Sequence, residues 1–264
     1  MYIGAYILVG VMTVLFTGLL FLYVRHYLKR WQRQRVAVPG NDELLLARHV
    51  KYYQQLDQPA KTRFAQLVRQ FLHHTTIEGV GVEVESVDRI LIAASAVIPV
   101  FGFPSWKYTN LTNVILYPDT FDEQYQFEGD RRNILGMVGS GTLNGQMVLS
   151  RQALRHGYTA ESGTSNTGIH EFVHLLDKSD GIIDGFPRNF LEHRYSDAWQ
   201  HIIQQETQNI EEGTSDINPY AATRESEFLA VAAEYFFQEP ARLKAHHPAL
   251  YGILGLIFNQ EPAY

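Results

Sequence analysis

Two histidines and a glutamate in the second half of the chain have the spacing of a metal-binding helix. The stretch Ile169–Asp177 contains His170, Glu171 and His174 in the pattern H-E-x-x-H. Side chains four residues apart lie on one face of a helix, so both imidazoles can point at one metal ion. Glu171 is rotated by about 100° from His170, so its carboxylate lies beside the ion and can move a proton from water to a leaving amine. The motif therefore predicts a zinc site (Zn2+) that hydrolyses peptide bonds.

A catalytic zinc needs a third protein ligand, and two regions of the sequence could supply it. In the extended motif H-E-x-x-H-x-x-G-x-x-H a glycine turns the chain toward the metal, but Asp177 and Asp180 occupy those last two fixed positions here. The other region is a predicted apolar helix over 224–235, in which Glu227 and Glu234 lie two turns apart on one face. We prefer Glu227 as the ligand. Glu234 or Asp177 is then expected to accept the N–H groups of the histidines that face away from the metal.

The patterns around these motifs predict an α+β domain, a small sheet followed by a mainly helical C-terminal half. The predicted helices before the motif are 43–56, one capped by Asp57, and 88–98, which Pro99 is expected to stop. The predicted strands are 77–84, 114–117, 134–138 and 146–150. The last of these is expected to be an edge strand along which an extended peptide could pair.

The first 24 residues contain no charged side chain, unlike the rest of the chain. As a helix they would span about 36 Å, more than the hydrocarbon core of about 30 Å. Five cations follow directly: Arg25, Lys29, Arg30, Arg33 and Arg35. A signal peptide carries its cations before the apolar run, so the order here favours a retained transmembrane helix.

The same five cations predict how the chain is placed. By the positive-inside rule these cations lie in the cytoplasm. Next to a bilayer they would contact lipid headgroups, so that 1–35 as a whole would be in contact with lipid. We therefore predict a single-pass anchor of the inner (cytoplasmic) membrane at 1–24, with its N-terminus outside. A basic juxtamembrane segment and linker follow at 25–42, and a zincin-like zinc peptidase domain in the cytoplasm at 43–264.

The charge and composition of the remaining chain exclude some functions. The five cations leave 17 Lys and Arg against 28 Asp and Glu, so the body carries a net charge of −11 within a total of −6. An acidic body excludes a nucleic-acid-binding domain built on overall basic charge. The chain has no cysteine, which excludes disulfides, thiolate metal sites and a cysteine nucleophile.

Two separated motifs carry a resemblance to a known family. The stretch His170–Asp177 and the segment from Tyr220 to Phe237 together resemble the Mlc titration factor A family of zinc peptidases. The similarity continues upstream through 114–118 and 145–150 and covers about 43–260. It implies zinc held by His170, His174 and Glu227.

The resemblance also implies catalytic roles. Glu171 would act as general base. The family is similar to the catalytic domain of anthrax lethal factor, in which a tyrosine seven residues before the third ligand faces the metal. By that likeness Tyr220, seven residues before Glu227, would donate a hydrogen bond to the developing oxyanion.

Two functions from different classes follow from this sequence. The first is a membrane-anchored, zinc-dependent metallopeptidase that hydrolyses a peptide or protein substrate. The second is a tethered regulatory protein that binds a cytoplasmic partner, such as the transcriptional repressor Mlc that the family name implies. The intact Glu171 favours the first, because a protein that only binds has no use for a general base.

Overall fold

The computed structural model describes residues 12–13, 15–25, 41–103, 105–127, 132–139 and 144–263. Contacts divide the chain into two units, Met1–Asn41 and Asp42–Tyr264. The second unit contains all the residues that the sequence singles out for chemistry.

The first unit contains the predicted membrane anchor, of which only part is described. Residues 12–13 and 15–25 are helical, and their side chains are exposed. Among the residues that the structure describes, no helix is long and apolar enough to cross a membrane. The rest of the predicted anchor and most of its basic segment (1–11, 14 and 26–40) lie outside the described residues.

The second unit is a mixed α and β fold with a small sheet and mostly helical content. Its α-helices are α1 (Asn41–His49), α2 (Lys51–Gln55), α3 (Gln58–His74), α4 (Ser86–Val100), α5 (Arg151–His156), α6 (Thr167–Asp177), α7 (Ser196–Glu211), α8 (Glu225–Gln238), α9 (Pro240–His246) and α10 (Pro248–Phe258). Its strands are β1 (Thr76–Gly79), β2 (Asn113–Tyr117), β3 (Gly136–Val138) and β4 (Gln146–Ser150). A short 3₁₀ helix, Pro219–Thr223, precedes α8.

The four strands form one sheet in the order β1-β2-β4-β3. Strands β1, β2 and β4 are parallel, and β3 is antiparallel to β4. The prediction that 146–150 forms an edge strand is therefore wrong, because β4 lies between β2 and β3. Four of its five residues are buried, as the apolar run Met147–Leu149 requires of an internal strand. The edge strand beside it is β3.

Three predicted boundaries also differ from the structure. The helix expected over 43–56 is interrupted at Val50, which has an extended backbone (φ −111°, ψ 98°). The strand expected to reach residue 84 ends at Gly79, because the chain bends at 80–82. Pro99 does not stop its helix: it lies in the last turn of α4, which continues to Val100. The cap at Asp57 is confirmed, since its carboxylate accepts the N–H of Ala60 at 2.8 Å.

The core joins helix α6, which carries the H-E-x-x-H motif, to the rest of the unit. Helix α4 is almost entirely buried, and the apolar face of α6 packs in the same core through Ile169, Phe172, Val173 and Leu176. Tyr117, Phe121 and Val148 form a separate small cluster. Helix α6 is therefore held by a continuous hydrophobic core, and its remaining face is free to carry polar groups.

Candidate metal centre and active site

Helix α6 begins at a buried capping residue that sequence analysis did not single out. The side chain of Asn166 accepts the N–H of Ile169 through Oδ1 at 3.1 Å and donates from Nδ2 to the carbonyl of Gly157 at 2.9 Å. A capping side chain satisfies one of the free N–H groups of the first turn. Asn166 thereby fixes where the helix starts, and with it the direction of His170 one turn later.

Three side-chain atoms converge on one point beside α6. Nε2 of His170 lies 3.1 Å from Nε2 of His174 and 3.1 Å from Oε2 of Glu227, and the third pair, His174 to Glu227, is 3.4 Å apart. Zinc binds nitrogen and carboxylate oxygen at about 2.0–2.2 Å, so neighbouring ligands of a tetrahedral site lie roughly 3.3–3.5 Å apart. One of the three separations falls in this range and the other two are slightly shorter, so the donor set fits one tetrahedral metal ion after a small outward movement of the side chains. Among the described residues these three form the cluster that could hold one.

Glu234 holds the ring of His170 from the side away from this point. Its Oε1 lies 2.7 Å from Nδ1 of His170, and its Oε2 accepts the backbone N–H of Asn166. A carboxylate at Nδ1 favours the proton there and leaves Nε2 as a free ligand atom. Of the two acceptors expected from the sequence, Glu234 and Asp177, the structure places Glu234 next to a histidine of the motif.

The acidic and basic groups of this cluster shift one another's pKa values. Burial opposes a positive charge on His170, but its hydrogen bonds with Glu227 and Glu234 outweigh burial and raise the pKa of this imidazole to about 10. Burial also opposes the charge of Glu227, yet the contacts with His170 and His174 hold the pKa of Glu227 well below its usual range. The imidazole of His170 and the carboxylate of Glu227 therefore each stabilise the charged form of the other.

Glu171 lies on the next face of α6 and packs against strand β3. It is buried, and burial, which is the largest influence, raises the pKa of Glu171 above its usual value. A Cβ placed at Gly136 would lie 2.6 Å from Cγ and 2.7 Å from Oε1 of Glu171. Only a residue without a side chain can therefore occupy position 136 while the carboxylate keeps this place.

Along β3, the backbone N–H and C=O groups of successive residues point alternately toward β4 and away from it. The carbonyl of Leu135 accepts the backbone N–H of Ser150, and the N–H of Gly139 donates to the carbonyl of Gln146. Between them, Met137 is in register with Val148. The backbone groups of Gly136 and Val138 consequently face the other way. Among the described residues no hydrogen-bond partner occupies them. An open strand edge thus runs beside the carboxylate of Glu171.

Tyr220 lies at the rim of the cluster, in the 3₁₀ helix that leads into α8. Its ring centroid is 6.1 Å from that of His170, and about half of the residue is exposed. Partial burial, followed by the carboxylates of Glu227 and Glu171, raises the pKa of Tyr220. The hydroxyl therefore keeps its proton at neutral pH and can act as a donor.

Asp177 and Asp180 have partners other than the two histidines. Oδ2 of Asp177 accepts the N–H of Gly185 at 2.8 Å. Oδ1 of Asp177 and Nδ1 of His174 are buried without a hydrogen-bond partner in the part of the chain that the structure describes. Asp180, the alternative third ligand, pairs with Arg188 at 3.3 Å and lies outside the three-residue cluster.

Gly185 links three elements around the site. Besides donating to Asp177, it accepts from the indole N–H of Trp199 at 2.8 Å. Its Cα packs against the start of α8, where an added Cβ would lie 2.3 Å from the carbonyl oxygen of Glu225. This contact lies two residues before Glu227. The loop at Gly185 therefore ties the end of α6 to the first turn of α8.

Three contributors to the site escaped the sequence analysis: Asn166, Gly136 and Gly185. Asn166 had a signal, since it is a good capping residue placed three positions before the first apolar residue of the helix. The two glycines had none, because their roles depend on contacts with Glu171 and Glu225, which are 35 and 40 residues away in the sequence.

Sequence similarity to known proteins extends over most of the chain. The sequence profile of the family described as "Glucose-regulated metallo-peptidase M90" matches residues 25–259. A protein of Synechocystis sp. described only as uncharacterized is 25% identical over an alignment of 266 positions, gaps included, that covers 96% of each chain. Mlc titration factor A of Escherichia fergusonii is 26% identical over 249 residues, covering 88% of this chain and 91% of that protein. That of Serratia proteamaculans is 26% identical over 224 residues, covering 78% and 82%.

The family match includes both motifs and the loop between them, and it extends upstream of the region where the resemblance was first drawn. The resemblance to the Mlc titration factor A family is thereby confirmed, and the chain belongs to the family of glucose-regulated metallo-peptidases M90.

Proposed function

We propose that this protein is a zinc-dependent peptidase that hydrolyses peptide bonds. The observation that carries the proposal is the convergence of His170, His174 and Glu227 at the spacing of tetrahedral zinc ligands, with the buried carboxylate of Glu171 beside them. Bound zinc would supply a Lewis acid and would lower the pKa of a water molecule toward 7.

The protein's own groups then have separate tasks in this proposal. Glu171 accepts the proton of the attacking water and delivers it to the leaving amine. Its raised pKa brings it closer to neutrality, where proton transfer in both directions is efficient. The protonated hydroxyl of Tyr220 faces the same site and donates a hydrogen bond to the oxyanion that develops on the substrate.

The open edge of β3 is the proposed track for the substrate backbone. Its outward groups at Gly136 and Val138 can pair with an extended peptide, which would add a strand to the sheet. Because Glu171 packs against Gly136, a peptide paired there has a carbonyl within reach of the general base. In this proposal the substrate pairs with β3, whereas the sequence pattern had suggested β4.

The zinc content and peptide cleavage of three variants test the proposal. Glu171→Gln should bind zinc and cleave at most about 10⁻² as fast as wild type, since a general base contributes roughly 10²–10⁴-fold. His174→Ala should lose both zinc and activity. Glu225→Gln is the matched control, because it removes an exposed acid two residues from Glu227 and should change neither. Wild type without zinc, or Glu171→Gln as active as wild type, would disprove the mechanism.

A second function is favoured by the names of several relatives. Several are called Mlc titration factor A, which suggests that this chain too could regulate a repressor-type protein by binding it. Capture of the partner by wild type and Glu171→Gln in equal amounts, with no cleavage of partner or peptides, would favour this function over catalysis. Release of fragments by wild type alone would favour the peptidase.

We further propose that residues 1–24 anchor the catalytic domain to the cytoplasmic face of the inner membrane, with 1–35 in contact with lipid. The order of the uncharged run and the five cations supports this. The similarity to the Synechocystis protein covers 96% of the chain and therefore includes most of 1–35. A C-terminal reporter that is active only in the periplasm would contradict the orientation, and recovery of the full chain without membranes would contradict the anchor.

A further inference from the structure

The open edge of β3 is closed at one end by a backbone bridge. Ile134 donates its N–H to the carbonyl of Phe121 at 2.9 Å, and Phe121 donates to the carbonyl of Ile134 at 3.0 Å. This isolated antiparallel bridge lies two residues before Gly136. Ile134 alternates in phase with Gly136 and Val138, so it is the next outward-facing residue of the same edge. Its two backbone groups are already used.

A small hydrophobic cluster holds Phe121 in this place. The Phe121 side chain is fully buried and packs with Tyr117 of β2 and Val148 of β4, apart from the main core. Its ring meets that of Tyr117 edge-on at 5.3 Å and stacks on Tyr125 at 6.3 Å. The Tyr125 hydroxyl in turn contacts the sulfur of Met137 on β3 at 3.6 Å. The bridge is therefore packed onto the sheet from one side.

The closed end lies close to the catalytic carboxylate. Gly136 contacts Glu171, and Ile134 is one pairing position further along the edge. A peptide that pairs with Gly136 and continues in this direction meets backbone groups that are already bonded to Phe121. An unpaired backbone group in a buried contact is costly, so the peptide must end or turn away from the strand there.

We propose that the Phe121–Ile134 bridge is a specificity determinant that limits backbone pairing of a substrate to Gly136 and Val138. On one side of the cleaved bond the substrate can follow β3, whereas on the other side it leaves the sheet within one residue. The substrates selected are peptides that are short or sharply turned on that side. This inference rests on the proposed peptidase function and on β3 as the substrate track.

Binding of peptides of graded length to zinc-loaded, full-length Glu171→Gln tests the inference. The cleaved bond is first mapped with wild type, and fluorescent peptides are then lengthened by one residue at a time on either side of it. On the open side, each added peptide residue that forms a backbone hydrogen bond with β3 should tighten binding about fivefold, because one net hydrogen bond contributes about 1 kcal/mol. On the closed side affinity should stop rising after the first residue. Adding Phe121→Ala should remove that limit.

Amide exchange measured on the peptide-free protein checks the bridge itself. The Ile134 amide should be protected, those of Gly136 and Val138 should exchange fast, and Phe121→Ala should expose Ile134. Tyr125→Gly is a second variant in case Phe121→Ala does not fold. It removes the ring stacked on Phe121 and the contact with Met137 but leaves Phe121 in place, and Tyr125 already has a positive φ of 62°. Phe190→Ala, a partly buried aromatic outside this cluster, is the control and should change neither measurement.

The outcomes separate the inference from the function on which it rests. Fast exchange of Ile134 in wild type, or affinity that keeps rising on both sides, would overturn the inference while cleavage continues. The inference would also be overturned if Phe121→Ala exposed the Ile134 amide to exchange while affinity still stopped rising with peptide length on the closed side. If no peptide binds to zinc-loaded Glu171→Gln and wild type cleaves none, the proposed function fails and the inference fails with it.

Discussion

Oε1 of Glu234 lies 2.7 Å from Nδ1 of His170, while the other oxygen of Glu234 accepts the backbone N–H of Asn166, the cap of the same helix. One carboxylate thus fixes both the start of α6 and the ring of the first histidine on it. Because α8 carries Glu227 as well as Glu234, seven residues apart, a single helix supplies a candidate metal ligand and the group that orients another.

Glu234→Gln should weaken zinc binding and also the start of α6. The amide has a single oxygen, so it can accept from His170 or from the backbone N–H of Asn166 but not from both. It also loses the charge that favours the Nδ1 proton of His170, and groups behind a metal ligand typically contribute 10–100-fold in affinity. Competition with a chelator would measure the loss. Glu225→Gln on the same helix is exposed and should bind zinc like wild type. Equal affinity in both variants would contradict the role of Glu234.

Gly136→Ala should reduce turnover without removing the metal. The new methyl group would lie 2.6 Å from Cγ of Glu171, so the carboxylate must move, and a displacement of about 1 Å can cost about 10²-fold in rate. The kcat for peptide cleavage and the zinc content give the two readouts. Gly252→Ala is the matched control, because an added Cβ in α10 meets no atom within 4 Å. Full activity of Gly136→Ala would show that Glu171 does not depend on this contact.

Gly185→Ala should destabilise the protein and weaken zinc binding together. Gly185 has a φ of +80°, and its Cβ would lie 2.3 Å from the carbonyl oxygen of Glu225, so the start of α8 must shift along with Glu227. Together, strain and steric conflict should lower the free energy of unfolding by about 2–4 kcal/mol. Denaturant titration and chelator competition would measure the two effects.

Gly213→Ala separates the two causes of that loss. Gly213 has a φ of +71°, but an added Cβ there meets no atom within 4 Å. It should therefore show only the conformational cost, about 1 kcal/mol, and unchanged zinc affinity. If Gly185→Ala and Gly213→Ala have the same affinity for zinc, the loop does not position Glu227.

The candidate metal site could be predicted from the sequence because its signals are local. The spacing of His170 and His174 places both rings on one helix face whatever surrounds the helix. Glu227 could be chosen because it lies on an apolar helix seven residues from Glu234 and next to small residues. The spacing of residues on a helix was therefore enough to select these side chains from the sequence.

The surroundings of the site could not be predicted because they depend on contacts between distant segments. An apolar run such as Met147–Leu149 fits either an internal or an edge strand, and only the pairing with β3 decides. The partner of Asp177 is Gly185 rather than a histidine, and nothing in their spacing indicates it. The packing of Gly136 on Glu171 likewise has no local signature.

A second cluster of charged groups, centred on Asp216, should make the stability of the fold depend on pH. The carboxylate oxygens of Asp216 lie 2.7–3.0 Å from polar atoms of four side chains, with which they form hydrogen bonds or ion pairs: Tyr235, Arg242, His246 and His247. Partial burial opposes its charge, but these contacts hold the pKa of Asp216 well below its usual range. A carboxyl group whose pKa is lower in the folded state stabilises the fold above its unfolded pKa, and this contribution is lost as the pH falls through the folded pKa.

Asp216→Asn should therefore lower the free energy of unfolding by about 1–3 kcal/mol at pH 7, because the buried His247 loses a charged partner. The difference between wild type and variant should shrink as the pH falls below about 4, where the unfolded aspartate takes up its proton. Urea titrations between pH 3 and 8 would measure this difference.

Asp197→Asn is the control, because Asp197 is an exposed aspartate in the first turn of α7. It should lower the free energy of unfolding by less than about 0.5 kcal/mol. A difference for Asp216→Asn that does not change with pH would show that the cluster stabilises the fold by packing alone, since a charge contribution must disappear when the carboxylate is neutralised.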